Sequence, residues 1–102
     1  MTTDKFVFST APADTLRYRF PTHTNELILD RSESAAAEAF IVVLEPGEAP
    51  PVHLHAENEQ VFYILEGAGT LHIGEGAAQP HPVRPGDLVR IPLNTPHAIR
   101  CD

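Results

Sequence analysis

All six glycines, and all but two of the ten prolines, lie at or beyond Pro46. They cut that part of the chain into short β-prone runs at residues 60–65, 70–73, 88–91 and 97–101. Runs this short, bounded by turn-forming residues, build strands rather than helices. The chain is therefore expected to be all-β. One segment carries more than fold information. Between Pro50-Pro51 and the run at 60–65 stands His53-Leu54-His55. In an extended segment, residues i and i+2 share a face, so both imidazoles would meet on one surface, as a metal site requires. A solitary His-x-His more often supplies one surface and one buried histidine. Here it is followed by Glu59, Gln60 and an apolar run that Gly67 closes.

Bulk properties exclude several classes of partner. The chain has 102 residues, with seven basic against 14 acidic side chains and a formal charge of −7. That balance, with no basic run and no aromatic platform, argues against nucleic acid or an anionic membrane surface. No run of about 18 apolar residues is present to span a bilayer, and no cationic, apolar leader opens the chain. A single cysteine, Cys101, cannot form an intrachain disulfide, so a reducing cytoplasm is the expected location.

A pass along the chain predicts strands at 5–8, 16–20 and 26–29, with Pro12 and Pro21 as breaks. The alanine-rich stretch 35–39 leads into the β-branched run at 40–44, which favours one strand over about 38–45. Bends at 46–51 feed a strand bearing both histidines. Strands at 60–65 and 70–73 follow, then a hairpin turn at 74–76. Residues 77–83 return as an edge strand, since Pro80 and Pro82 cannot donate to a central ladder. A turn at 85–87, a strand at 88–91, a loop at 92–96 and a strand at 97–101 complete the reading. Both faces of 60–65 are apolar: Phe62 and Ile64 on one side, Val61, Tyr63 and Leu65 on the other. A second subunit is expected to cover the outer side, making a homodimer.

Two stretches together resemble the cupin superfamily. Gly47, His53, His55 and Gly67 fall in register with its first motif: glycine, five residues, His-x-His, three or four residues, an acidic ligand, six residues, glycine. Gly86 through His97 is similar to the second, with a Pro-Gly-Asp turn, Pro92 six residues after the glycine and His97 five beyond that. The match covers about 38–101. It implies a double-stranded β-helix, the jelly-roll or cupin barrel, in a single domain over 1–102. Residues 1–34 would be lead-in strands and 35–101 the barrel core. The chain ends five residues past His97, sooner than the resemblance leads one to expect. The N-terminal segment or a partner chain is then expected to complete the sheet.

The resemblance also implies a ligand set of His53, His55 and His97 with one oxygen donor. Such a set suits iron, manganese, nickel, copper or zinc better than calcium or magnesium. Counting back six residues from Gly67 places the fourth ligand at Gln60, where most cupins have glutamate. Counting on from His55 in the looser motif places it at Glu59. The two neighbours face opposite ways in a regular strand. Gln60 is favoured because Phe62 and Ile64 share its face. Phe62, Ile64, Ile99 and Cys101 are expected to line the pocket. Phe40 or Ile41, and Leu88 or Val89, would extend its wall. His23, His72 and His81 lack ligand context. The expected function is a small metal-dependent enzyme (dioxygenase, isomerase, decarboxylase or lyase) acting on a small polar molecule. The alternative is a module that binds a sugar or organic acid without turnover, the metal serving as anchor.

Overall fold

A computed structural model describes residues 5–102, apart from the side chain of Ala77. Among the described residues are eight strands: β1 (Leu16–Phe20), β2 (His23–Leu29), β3 (Ala39–Val43), β4 (Gln60–Tyr63), β5 (Gly69–Ile73), β6 (Gln79–Val83), β7 (Leu88–Ile91) and β8 (His97–Cys101). Three single-turn 3-10 segments make up the helical content. Contacts divide the chain between Val43 and Leu44, and the two parts are described separately.

In the first part β1, β2 and β3 form an antiparallel sheet in that order. Its register places Leu16, Leu27 and Phe40 in one row and Tyr18, Asn25 and Val42 in the next. The opposite face carries Arg17 beside Glu26, joined by a 2.6 Å ion pair, with Ile41 in the same row. The β2–β3 register slips between Leu27 and Leu29, leaving Ile28 as the extra residue of a bulge. Asp30 then caps the turn Arg31–Glu33, and Glu33 reaches back to the Asp30 amide in a capping box. The strand expected at 5–8 is not formed. No strand pairs with it, and local propensity alone does not hold an extended segment. Lys5 instead sits over the Phe8 ring at 4.8 Å.

In the second part β4 pairs with β7, while β5 lies between β6 and β8. Every pairing is antiparallel. The two sheets share one apolar cluster: Leu71 and Val83 from one, Val89 and Ile91 from the other, with Phe62, Ile64, Ile73 and Ile99 packed against them. Strand alternation explains the choice. Val89 is buried, whereas its neighbour Leu88 is exposed, which settles which of the two faces inward. Arg84-Pro85-Gly86-Asp87 makes a tight turn, with Gly86 at φ 95° and the Asp87 amide donating to the Arg84 carbonyl at 3.1 Å. Proline followed by a residue with positive φ is the type II pattern. The hairpin turn expected at 74–76 joins β5 to its antiparallel partner β6, and takes the form of a 3-10 turn over Glu75–Ala77 with Gly76 left-handed at φ 70°. As expected, β6 is an edge strand.

One glycine is required by close approach rather than by its torsions. A Cβ on Gly69 would lie 2.6 Å from the Arg100 carbonyl oxygen. The contact is backbone, so β5 and β8 would have to separate. Gly69→Ala is expected to destabilise the chain by about 1–3 kcal/mol, the usual cost of overpacking. A thermal melt reads this as a fall of several degrees; an unchanged midpoint would contradict the close β5–β8 approach.

Candidate metal centre

His53 and His97 are tied by a reciprocal pair of backbone hydrogen bonds. The His53 amide donates to the His97 carbonyl at 3.0 Å, and the His97 amide to the His53 carbonyl at 2.9 Å. This isolated antiparallel bridge is all that remains of the strand expected around the first two histidines. His55 lies beyond it in irregular chain, and its carbonyl accepts from the Asn94 amide at 2.8 Å. The expectation of one regular strand through 53–55 is therefore corrected. Pro50 and Pro51 remove two amide donors just before His53, which limits the ladder. The chemical consequence drawn from that strand still holds. Ligating atoms of His53, His55 and His97 all lie within 4.8 Å of one another. The ring centroids are separated by 4.3 Å for His53–His97, 5.1 Å for His53–His55 and 5.5 Å for His55–His97.

Two of the rings have a fixed tautomer. His53 Nδ1 is 2.9 Å from the Pro51 carbonyl oxygen, and His97 Nδ1 is 2.9 Å from the Thr95 carbonyl oxygen. A carbonyl can only accept, so each Nδ1 carries the proton and each Nε2 keeps its lone pair. Metal-bound histidines are held by the same kind of outer contact. His97 is 4% exposed, and its Nε2 is buried without a hydrogen-bond partner. Burial, acting first, pushes its imidazole below the ordinary histidine pKa; the Thr95 hydrogen bond opposes that, and charge on His53 and His55 adds to the lowering. The neutral ring is the form that donates to a metal.

Gln60 opens β4 opposite Ile91. Its Oε1 is also buried with no partner. An unpaired buried amide oxygen costs free energy, so its place in the structure calls for a reason. Glu59 is exposed, and its carboxylate stands 3.8 Å from Arg90 Nε on the solvent side. Phe62, Ile64 and Ile99 are half-buried against the core cluster. Cys101 is half-buried opposite Gly69, with Sγ 3.5 Å from the Asp102 carbonyl oxygen. Tyr63 and Arg90 are exposed. His81 is exposed and His72 half-buried. His23 stacks on Phe20 at 4.9 Å. Two shallow grooves, about 330 and 510 Å³, are lined by residues other than the three histidines. The larger runs along Gly74–Gly76 and Asn94–Pro96, directly before His97. The smaller lies among β5, β6 and β7, with His81 in its lining; the donor chemistry outweighs cavity size in locating the site. The sequence reading did not anticipate the carbonyls of Pro51 and Thr95. Any residue supplies a carbonyl, so nothing in the residue types marks them.

An all-β chain with three converging imidazoles on motif-bearing segments defines a class. The chain belongs to the cupin family: the family's sequence profile, described as a cupin domain, matches residues 40–102. Its fold is the jelly-roll barrel of that family, and the solved structures it resembles agree. The structure of KdgF from Halomonas sp. superposes with a TM-score of 0.78 at 20% identity, covering 97% of this chain and 83% of that one. Oxalate decarboxylase of Lactobacillus farciminis, in a formate complex, gives a TM-score of 0.73 at 21% identity, covering 87% of this chain and 28% of that one. At such identities the likeness concerns the fold alone. Among curated proteins, auxin-binding protein 5 of Zea mays is 35% identical over 68 residues, which is 61% of this chain and 45% of that protein. An uncharacterized protein of Methanocaldococcus jannaschii is 34% identical over 67 residues, 66% of this chain and 49% of that protein. The chain thus spans less than half the length of these relatives. No helix among the described residues is long and apolar enough to cross a membrane.

The tautomer assignment can be checked directly. In the metal-free protein above about pH 8, where free histidine is neutral, long-range proton–nitrogen NMR should show Nδ1 protonated and Nε2 bare for both His53 and His97. The opposite tautomer at either residue would break the argument that Nε2 is held ready.

Proposed function

We propose that this cupin binds one divalent transition metal (iron, manganese, nickel, copper or zinc) through His53, His55, His97 and Gln60, and works on a small polar organic molecule. The observation that carries the reading is the convergence of the ligating atoms of His53, His55 and His97 within 4.8 Å of one another, with His97 Nε2 buried and unpartnered. Gln60 Oε1, likewise buried and unpartnered, is assigned as the fourth donor on the motif register, and a cation held there would answer both acceptors. Glu59, exposed and paired with Arg90, is left to the rim. With Gln60 as fourth ligand, all four donors are neutral and the ion keeps its full charge. A bound ion of this kind supplies Lewis acidity, polarising a carbonyl or carboxyl oxygen.

The protein's own residues hold and orient. Pro51 and Thr95 fix two rings, and the bridge between His53 and His97 sets their separation. Phe62, Ile64, Ile99 and Cys101 are assigned to the pocket wall, where a mostly apolar lining excludes water. A metal-dependent enzyme (a dioxygenase, isomerase, decarboxylase or lyase) is the leading reading, and the name of the oxalate decarboxylase of like fold is in keeping with a small organic acid. A non-catalytic module that binds a sugar or organic acid is the second, favoured by the name of the auxin-binding relatives. We further assign the chain, as one domain over 1–102 with lead-in strands at 1–34 and a barrel core at 35–101, to the cytoplasm. The unpaired Cys101 is in keeping with that location.

Elemental analysis of protein purified without chelator or affinity metal tests the centre. Near-stoichiometric metal is expected. A chain that is empty and takes up none of the five metals would overturn the ligand assignment. His97→Ala should weaken metal affinity by more than about 100-fold, beyond the usual effect of outer-shell changes. Gln60→Ala should weaken it clearly and Glu59→Ala hardly at all; the reverse order would move the fourth ligand to Glu59. Substrate screening with the loaded protein separates turnover from ligand-induced stabilisation without product.

A homodimer completes the proposal. Val61, Tyr63 and Leu88 are 64%, 58% and 68% exposed, and Tyr63 faces Leu88 across the β4–β7 pair. An apolar group of this kind on one sheet face favours burial against a second copy. Sedimentation equilibrium should give a dimer that Leu88→Lys converts to monomer. A monomeric wild-type chain across the same concentrations would remove this part of the proposal.

A further inference from the structure

Among the described residues, Asn94 is the one non-glycine residue with positive φ, at 54°. It sits at the tip of the 92–96 loop. Left-handed backbone is disfavoured for residues with a Cβ, and asparagine is among the few that tolerate it. Such a conformation persists where its surroundings require it, and the question is what requires it here.

The hydrogen bonds of the loop answer. The Asn94 amide donates to the His55 carbonyl at 2.8 Å. One residue on, the Thr95 carbonyl accepts from His97 Nδ1 at 2.9 Å. The Thr95 hydroxyl donates to the Leu93 carbonyl at 3.1 Å, closing the loop on itself. The Pro96 carbonyl accepts from the Gly74 amide at 3.0 Å, tying the loop to the end of β5. Two adjacent residues therefore hold two different histidines, one by its backbone and one by its ring. His55 has most need of this. It lies outside any strand, whereas His53 is bridged to His97 and His97 opens β8.

We propose that Asn94 is a positioning residue for the metal centre, its left-handed backbone aiming an amide at the His55 carbonyl and so setting metal affinity. The inference rests on the metal reading above. It assigns the role to backbone conformation, with the Asn94 side chain serving only as one that permits it. Glycine should then substitute freely and a β-branched residue should not. In Asn94→Val the loop is expected to leave the left-handed region and carry its amide away from His55. His53 and His97 would keep their bridge, while His55 would have to be ordered at the moment of binding.

The test is a chelator-competition titration with cobalt and with zinc on wild type, Asn94→Gly and Asn94→Val. It is paired with the visible spectrum of the cobalt form and the thermal midpoint of each metal-free protein. Val83→Ala, a core truncation remote from the loop, serves as a control of lowered stability. Asn94→Gly is expected to bind within about twofold of wild type. Asn94→Val should bind about tenfold more weakly or worse, equivalent to ~1.4 kcal/mol, with an altered cobalt spectrum. Val83→Ala should melt lower yet keep wild-type affinity and spectrum. If Asn94→Val does not fold, Asn94→Ala takes its place with the same direction expected. Wild-type affinity in the valine or alanine variant overturns the inference, as does equal weakening in the glycine variant. So does an affinity loss in Val83→Ala matching that of Asn94→Val, which would reduce the effect to stability. Failure of the wild-type chain to take up cobalt, zinc or any other of the five metals would overturn the metal reading and this inference together, whereas wild-type binding with an unaffected valine variant overturns the inference alone.

Discussion

The site depends on two hydrogen bonds. The reciprocal amide–carbonyl pair joining His53 to His97 brings together segments 44 residues apart in sequence. An antiparallel bridge of this hydrogen-bonded kind holds facing residues at a separation of about 5.5 Å between Cα atoms. Two imidazoles carried at such a bridge are neighbours before any ion arrives. Little side-chain ordering is left for binding to bring about, which is the physical meaning of preorganisation. The core sits behind this arrangement. Ile91, 1% exposed, pairs with Gln60, so the residue that anchors β7 in the apolar cluster also fixes where the amide side chain begins.

Polar satisfaction separates the ring nitrogens into two classes. Those facing the loops are answered by carbonyls of Pro51 and Thr95. On the opposite side, His97 Nε2 is unanswered, as is Gln60 Oε1. Each buried acceptor left unanswered costs on the order of 1–3 kcal/mol, and Asn25 Oδ1 in the first sheet is a third such atom. At His97, where His53 and His55 bring their ligating atoms within 4.8 Å, a bound cation would offset that cost. The same asymmetry distinguishes the two acidic-or-amide neighbours: Glu59 stands by the Arg90 guanidinium, and Gln60 Oε1 has no hydrogen-bond partner among the described residues.

Much of this was legible in the residues. Proline and glycine spacing marked β4, β5, β7 and β8 to within a residue or two, because turn chemistry is local. The three histidines were legible through their motif context, although the strand expected to carry the first two is reduced to one bridge. The periodicity argument survived there because an irregular segment can also bring i and i+2 together when hydrogen bonds pin it. Tertiary partners decided the rest. Residues 5–8 look β-prone but pair with no strand among the described residues. The inward choice of Val89 over Leu88 followed from the register of β7 against β4, which a one-residue slip would reverse. The Asn94 loop carried a faint sign, an asparagine between two prolines, but its target, the His55 carbonyl, has no signature in sequence.

The prolines of β6 have a consequence of another kind. Pro80 faces His72 and Pro82 faces Thr70 across β5. Neither can donate to β5, so the hydrogen-bonded pairs must be those of Gln79, His81 and Val83. In the alternating pattern of an antiparallel ladder, positions 80 and 82 therefore turn their backbone outward, along the open border of the sheet. Where other residues would present amide hydrogens to an arriving strand, these present ring carbons. Along that border positions 80 and 82 offer carbonyl acceptors but no amide donors, so an added strand is disfavoured there by covalent chemistry and not by charge. Mutations elsewhere that loosen the barrel would leave this protection in place, since it is built into the edge itself.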